Sequence, residues 1–283
     1  MRFILIVISV IFLMYFFNTT EHFVKGHKLS QIRRRNKSLA DFKLYNDNIV
    51  IDNTPMYLIN LDRRPDRLKI TMNLLQEKGY DNVHRIPAID SSNPAIWNDI
   101  KKYVAPDSMD SIQKGWRTEH HQLSKGAVGC YLSHLEIWKI AAEDDTDMII
   151  FEDDTYPSLT KDTLQSYLND VPPNWDIVLF GGYYDTNYRI VNKRISHVDR
   201  FYGTHAYMIS SRACKFLIPK ALPITKQVDS FLSDQAVGGF LNIYGLRNTG
   251  WIQNQQIAGT DIQTPLRSIE ALPIHEDVMV HDV

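Results

Sequence analysis

The stretch Asp147-Met148-Ile149-Ile150-Phe151-Glu152-Asp153-Asp154 decides the fold. Four apolar residues run without a polar break straight into three carboxylates. A strand with one wet face alternates apolar and polar residues. One without alternation is buried on both faces, as in a parallel sheet covered by helices. In such sheets ligands gather beyond the carboxyl ends of the strands, which is where Glu152, Asp153 and Asp154 fall. Side chains alternate along an extended chain, so Glu152 and Asp154 are expected on one side and Asp153 on the other. Two like charges that close repel unless a cation sits between them. Hard oxygen donors favour Mg²⁺ or Mn²⁺, with room left for phosphate oxygens. Taken alone, the triplet is equally compatible with an exposed acidic turn.

Outward from this stretch the pattern repeats. Met56-Tyr57-Leu58-Ile59-Asn60-Leu61 reads as another buried strand, followed at once by Asp62-Arg63-Arg64-Pro65-Asp66-Arg67. Pro65 suits the first turn of a helix over 65–78, Leu68, Met72 and Leu75 form its apolar stripe, and Gly79 stops it. A second strand fits 82–88. Residues 89–122, broken by Pro94, Pro106 and Gly115, read as a long loop with a helical turn; a loop of that length commonly carries function. The strongest helix signal covers 124–142. Strands follow at 176–180 and 204–209, and helices at 211–221 and 229–241, with no assignment beyond 251. Alternating strands and helices without a repeat predict one α/β domain with a mostly parallel sheet over residues 54–283.

Ahead of it, residues 3–17 are apolar except for Ser9. As a helix they reach about 22 Å, short of a bilayer core of roughly 30 Å. The following Asn18-Thr19-Thr20-Glu21-His22 offers no small-residue cleavage site. The expectation is therefore an uncleaved signal-anchor over 1–20 and a basic stem over 21–53, in preference to a cleaved signal. Such a chain would be a single-pass membrane protein. Its orientation stays open: Lys25, Lys28, Arg33, Arg34, Arg35 and Lys37 favour a cytosolic domain, whereas Asn36-Lys37-Ser38 is a glycosylation acceptor only if lumenal.

With 31 basic and 33 acidic side chains among 283 residues, the net charge of −2 gives no drive toward nucleic acid. Cys130 and Cys214 are too few for a disulfide framework and leave one bridge or two free thiols open. Cys130 and His134 share a helical face with Gly126 and Trp138. Two such ligands make no zinc site, and packing explains the face.

Three further segments join the acidic triplet in a resemblance. Tyr57-Leu58-Ile59-Asn60-Leu61-Asp62-Arg63-Arg64-Pro65-Asp66-Arg67, Gly126-Ala127-Val128-Gly129-Cys130-Tyr131-Leu132-Ser133-His134-Leu135-Glu136-Ile137-Trp138, and Gly203-Thr204-His205-Ala206-Tyr207-Met208-Ile209-Ser210 flank Ile150-Phe151-Glu152-Asp153-Asp154. In their order they resemble glycosyltransferase family 25, which includes lipopolysaccharide and procollagen galactosyltransferases. The resemblance implies a GT-A-type nucleotide-sugar-binding fold. It also implies metal-dependent transfer of a sugar, often galactose from UDP-galactose and commonly with inversion, to a hydroxyl of a glycan, lipid-linked saccharide or protein acceptor.

On that reading Glu152 and Asp154 hold the metal, with His205 as a third ligand or else a core histidine. Asn60, Arg63, Arg67, Ser133, His134 and Asp153 meet the donor. The arginines suit phosphate because they flank a helix start and present planar donor forks; alternatively they only pair with Asp62 and Asp66. An inverting transfer needs a carboxylate to take the acceptor's proton. Asp234 and Asp229 are both candidates, and Asp229 could instead cap its helix. Gln256-Ile257-Ala258-Gly259-Thr260-Asp261-Ile262 resembles the family's closing segment, whose role does not follow from its residues. Two rivals stand beside this reading: a non-catalytic glycan-binding or scaffold protein, and a nucleotidyltransferase making the activated sugar. The expected anchor argues against the latter.

Overall fold

The computed structural model describes residues 49–184, 188–253 and 261–262. The main sheet has eight strands in the order β2-β1-β3-β10-β5-β11-β8-β7. In chain order the strands are β1 (Met56–Asn60), β2 (Val83–Pro87), β3 (Met148–Glu152), β4 (Thr155–Tyr156), β5 (Ile177–Leu179), β6 (Tyr183–Tyr184), β7 (Arg189–Ile190), β8 (Ile195–His197), β9 (Phe201–Tyr202), β10 (Ala206–Ile209), β11 (Ile243–Leu246) and β12 (Ile252–Gln253). β4 pairs with β12, and β6 with β9, in two-stranded ladders. The helices are α1 (Pro65–Glu77), α2 (Pro94–Ile100), α3 (Met109–Lys114), α4 (Lys125–Glu143), α5 (Lys161–Leu168), α6 (Ser211–Leu217) and α7 (Val228–Val237).

The uninterrupted apolar strands are explained by cover on both faces. Along β3, Met148 and Ile150 enter one core and Ile149 and Phe151 the other. The first core holds α4, α6 and α7 through residues such as Leu135, Trp138, Cys214 and Leu232. The second is closed by Leu75 of α1, Leu164 of α5 and Trp251. Trp251 stacks on Phe151 with centroids 6.1 Å apart.

Strand direction follows the expectation for most of the sheet. β1 runs parallel to β2 and β3, and β5 parallel to β11. β10 is antiparallel to both of its neighbours. That reversal positions the site: it brings the chain just before β10 to the edge where β3 ends, so Glu152 N donates to His205 O at 2.9 Å.

Residues 89–122 contain more helix than their punctuation suggested. Pro94 opens α2 while Asn93 caps it by accepting from Ala95 N, and Gly115, with φ 72°, ends α3. Ile51, placed by its polar neighbourhood in the stem, is buried, and its N–H donates to Gln165 Oε1 at 2.8 Å. Cys130 and Cys214 are both free.

The expected single-pass membrane placement needs correction. Among the described residues no helix is long and apolar enough to cross a membrane. The longest of them, α4, spends its apolar face on the core. The segment 3–17, on which the expectation rested, lies outside the described residues.

One close approach fixes α4 against the loop after β2. A Cβ built on Gly129 would lie 2.4 Å from Ile89 O and 2.8 Å from Ser91 Oγ. Alanine has the better helix propensity, but a backbone carbonyl cannot give way cheaply. Gly129→Ala is expected to lower unfolding free energy by about 1–3 kcal/mol, the usual range for overpacking, as read by urea denaturation.

Candidate functional site

β1 and β3 pair with Ile59 opposite Glu152, so Asn60 and Asp153 leave the sheet side by side. Asn60 Nδ2 donates to Asp153 Oδ2 at 2.7 Å and to Arg64 O at 2.9 Å. Arg85 Nε donates to Asn60 Oδ1 at 3.0 Å, which fixes the amide's orientation. The strand ends at Glu152, and Asp153 and Asp154 form a turn. The expected alternation therefore stops where it was to apply. Asp153 and Asp154 instead reach the same guanidinium, with Arg67 Nη2 2.9 Å from a carboxylate oxygen of each.

Arg67 extends from the first turn of α1 and is 5% exposed. Its other terminal nitrogen lies 3.2 Å from Asp261 Oδ2. Arg63 and Arg64 meet the same carboxylate at 2.6 and 2.5 Å, and Arg63 also pairs with Asp90 at 2.9 Å. Three arginines thus converge on one anion, in the place where contact with a phosphate was expected. Of the surface pairings considered instead, Arg64 does bind Asp66, but Asp62 is taken by Arg85. The convergence is held by backbone packing too. A Cβ on Gly126 would come within 2.3 Å of Asp261 O, and Ser124 Oγ donates to Ile262 O.

Glu152 is held by a second network. Trp138 Nε1 donates to Tyr207 Oη at 3.0 Å, which directs the phenol's hydrogen to His134 Nδ1 at 2.9 Å and leaves His134 Nε2–H facing Glu152 Oε1 at 3.2 Å. Thr204 Oγ1 donates to the same oxygen at 2.7 Å. Burial would raise the Glu152 carboxyl, but the hydrogen bonds from His134 and the Thr204 hydroxyl outweigh it and leave it lowered. Asp154 goes the other way. Burial, reinforced by the Glu152 charge and opposed by Arg67, pushes it up to about 7. Gln253 Nε2 donates to its Oδ2 at 2.9 Å, while its buried Oδ1 has no hydrogen-bond partner.

An orphaned carboxylate oxygen beside an ionised glutamate fits a hard divalent cation. Cys130, His134 and Glu152 also bring ligand atoms within 4.8 Å of one another. That set suits a cation less well, because both nitrogens of His134 are committed to Tyr207 and Glu152 and burial holds the Cys130 thiol protonated.

The remaining expected residues divide. His205 is buried just before β10, and burial lowers it although Glu152 and the Trp251 carbonyl favour its charged form. Ser133 Oγ donates to Gly129 O at 2.7 Å and accepts from Ile89 N at 2.9 Å, a tie between α4 and the loop after β2. Asp229 accepts from Gly203 N at 3.0 Å and Ser230 N at 2.6 Å; the N-cap of α7 is Gln227, so capping is not its task. Burial raises the Asp229 carboxyl despite those bonds. Asp234 lies on the exposed side of α7, 2.5 Å from Lys226 Nζ.

Two cavities meet at Glu152, Cys130 and Ile262. The larger, about 440 Å³, is lined by Asn60, Arg63, Arg67, Asp153, Asp154 and Asp261 among others. The smaller, about 270 Å³, contains Asp229, Thr204 and Gln253. Asp234 and Ser133 line neither. Sequence reasoning missed Asp261, Arg64's bond to it, Thr204, Tyr207 and Gln253. Gln253 had no local pattern to mark it; Asp261 stood in the closing segment whose role its residues do not give, and Thr204 and Tyr207 stood beside His205 in a segment already quoted.

An α/β domain with an acidic turn at its parallel-strand ends, flanked by two cavities, is a ligand-binding scaffold. The family described as glycosyltransferase family 25 (LPS biosynthesis protein) matches residues 53–232, and the chain belongs to it. A glycosyltransferase 25 family member of Aedes aegypti is 25% identical over 212 residues, 68% of this chain and 33% of that protein. Procollagen galactosyltransferase 1-A of Xenopus laevis is 29% identical over 191 residues, 62% of this chain and 30% of that protein. The inactive glycosyltransferase 25 family member 3 of Mus musculus is 28% identical over 131 residues, 44% of this chain and 21% of that protein. The chain thus spans about a third or less of these relatives' length. Among solved structures, an active-site mutant of LgtC aligns with TM-score 0.34 and 10% identity over 67% of this chain and 72% of that one, a likeness too slight to carry an argument.

The raised Asp154 has a signed consequence. Unfolded, an aspartate loses its proton near 3.9; folded, Asp154 keeps it to about 7. Between those values the native state binds more protons, so this group makes stability fall as pH rises from about 4 to 7. Wild-type protein in chelator is expected to lose thermal stability over that window, and Asp154→Asn to lose less. Identical pH profiles for the two proteins would show that Asp154 ionises normally.

Proposed function

We propose that this chain is a metal-dependent glycosyltransferase. It moves a sugar from a UDP-sugar, with UDP-galactose the first donor to try, onto a hydroxyl of a glycan, lipid-linked saccharide or protein, with inversion. The observation that carries the reading is the buried, unpartnered Oδ1 of Asp154, two residues from Glu152, on a turn that lines a cavity edged by arginines. Glu152 and Asp154 would hold Mn²⁺ or Mg²⁺. When bound, such a cation neutralises charge on a departing diphosphate.

The protein's own groups supply the rest. Asn60 lines the larger cavity with both amide hydrogens given to Asp153 and Arg64, which leaves one lone pair of its Arg85-fixed Oδ1 to accept from base or ribose. Arg63 and Arg67 offer planar donor pairs to phosphate oxygens once Asp261 yields them. Asp229 takes the proton from the acceptor hydroxyl as it attacks the anomeric carbon, opposite the leaving oxygen. Burial raises its carboxyl, as a base working near neutrality requires. Asp234, bound to Lys226 outside both cavities, is the weaker choice for that role.

A second reading, nucleotide or glycan binding without transfer, has one observation in its favour: Arg67 already pairs with Asp153 and Asp154, so part of the turn's charge is met without a cation. Calorimetry separates the readings. UDP is expected to bind in Mn²⁺, to lose affinity in chelator and to bind poorly to Asp154→Ala. UDP binding indifferent to both changes would refute the metal assignment. Asp229→Asn is expected to bind UDP normally while its turnover of UDP-galactose with acceptor drops by roughly 10²–10⁴, the usual contribution of general acid–base catalysis. Undiminished turnover would remove Asp229 from the mechanism.

A further inference from the structure

The smaller cavity has a mouth that the transfer chemistry leaves unexplained. Tyr183 and Tyr202 are 63% and 49% exposed, and both line it. They are direct cross-strand partners in the β6–β9 ladder, so their rings stand on the same face of the ribbon. Their sequence neighbours Tyr184 and Phe201 form the opposite pair, where Phe201 is buried in the core. The ribbon is therefore anchored on one face and presents two phenols on the other. His120 extends the surface, its ring 5.6 Å from that of Tyr202.

Below this aromatic rim the cavity is polar and mixed in sign. Arg117 is 3% exposed and its Nη1 donates to His120 O at 3.0 Å, which fixes the rim to the floor. Gln227 ties the same loop by donating to Gln122 O at 2.9 Å. Thr204 and Asp229 complete the inner end, where this cavity meets the larger one at Glu152. Arg117 offsets the charge of Asp229, and Glu152, at the inner junction, is met by hydrogen bonds from His134 and Thr204, so no single sign dominates the mouth. An anionic lipid headgroup would call for a cationic cavity, and an amine for an acidic one. Flat phenols above neutralised polar groups instead match a ligand with an apolar C–H face and a rim of hydroxyls, each Tyr giving an apolar body and a polar tip.

We infer that the smaller cavity is the acceptor site and that Tyr183 and Tyr202 form a platform for a sugar ring, so the acceptor is a saccharide rather than a hydroxylysyl side chain. This rests on the transfer reading above and names the acceptor class for the same site. It also orders the reaction in space. The saccharide ring lies against the tyrosines, its nucleophilic hydroxyl faces Asp229, and the donor sugar arrives from the side of Glu152.

The test probes the full-length protein, with UDP and Mn²⁺ present, on an array of free glycans that also carries a hydroxylysine-containing collagen peptide. Glycan binding is expected. Tyr202→Ala and Tyr183→Ala should each weaken it roughly tenfold, in line with loss of an aromatic contact, and Tyr202→Phe should retain most of it. Both residues are exposed, so the variants should keep their UDP affinity, which also reports that they are folded. Capture of the collagen peptide in place of glycans, glycan binding indifferent to both alanines, or no binding to either ligand by a protein that binds UDP would overturn the inference. Failure to bind UDP would instead count against the transfer reading itself.

Discussion

The site depends on the guanidinium of Arg67. One terminal nitrogen spans Asp153 and Asp154 and the other reaches Asp261, all within 3.2 Å. A charged group this deeply enclosed persists only when paired and hydrogen-bonded, and removing one partner of such a pair typically costs about 3–5 kcal/mol. Arg67 therefore joins α1, the turn after β3 and the chain near 261 through a single planar group. It also offsets part of the charge of the acidic turn. Three carboxylates at one strand end would repel without it, and even with it burial keeps Asp154 inclined to hold its proton.

The second constraint is the reversal of β10. Had that strand been parallel, the residues preceding it would have emerged at the opposite edge of the sheet. Running antiparallel, it sets Thr204 and His205 beside Glu152. The His134, Tyr207 and Trp138 chain then approaches from beneath, through α4 and β10. Glu152 is thereby kept ionised and oriented while Asp154 keeps a buried, unpartnered oxygen. Two carboxylates two residues apart acquire different properties from their surroundings alone.

Much of this was legible in the residues, for local reasons. The unbroken apolar run of 148–151 announced a strand covered on both faces, and the carboxylates after it announced a strand end. Pro65 and Gly79 bracketed α1, and Ser124 opened α4. Strand direction was less legible, because a buried strand has the same composition whether parallel or antiparallel. The alternation expected for Glu152, Asp153 and Asp154 failed because the strand stops at Glu152. The role of Asp261, which stood in the quoted closing segment, was unreadable for another reason. Its partners lie 194 to 198 residues away in the chain, and pairing at that distance leaves no period or spacing to detect. The helical turns of 94–114 were readable in part: Asn93-Pro94 is a helix start by capping chemistry, though short helices are easily outweighed by the prolines around them.

The proposed cation sits on the acidic turn between Glu152 and Asp154, in a place that Arg67 neutralises only in part. Anomalous diffraction at the manganese edge, from crystals of the protein grown with Mn²⁺ and UDP, tests it most directly. A single strong peak within coordination distance of both carboxylates is expected. A peak centred on Cys130 and His134, or none with UDP plainly bound, would contradict it.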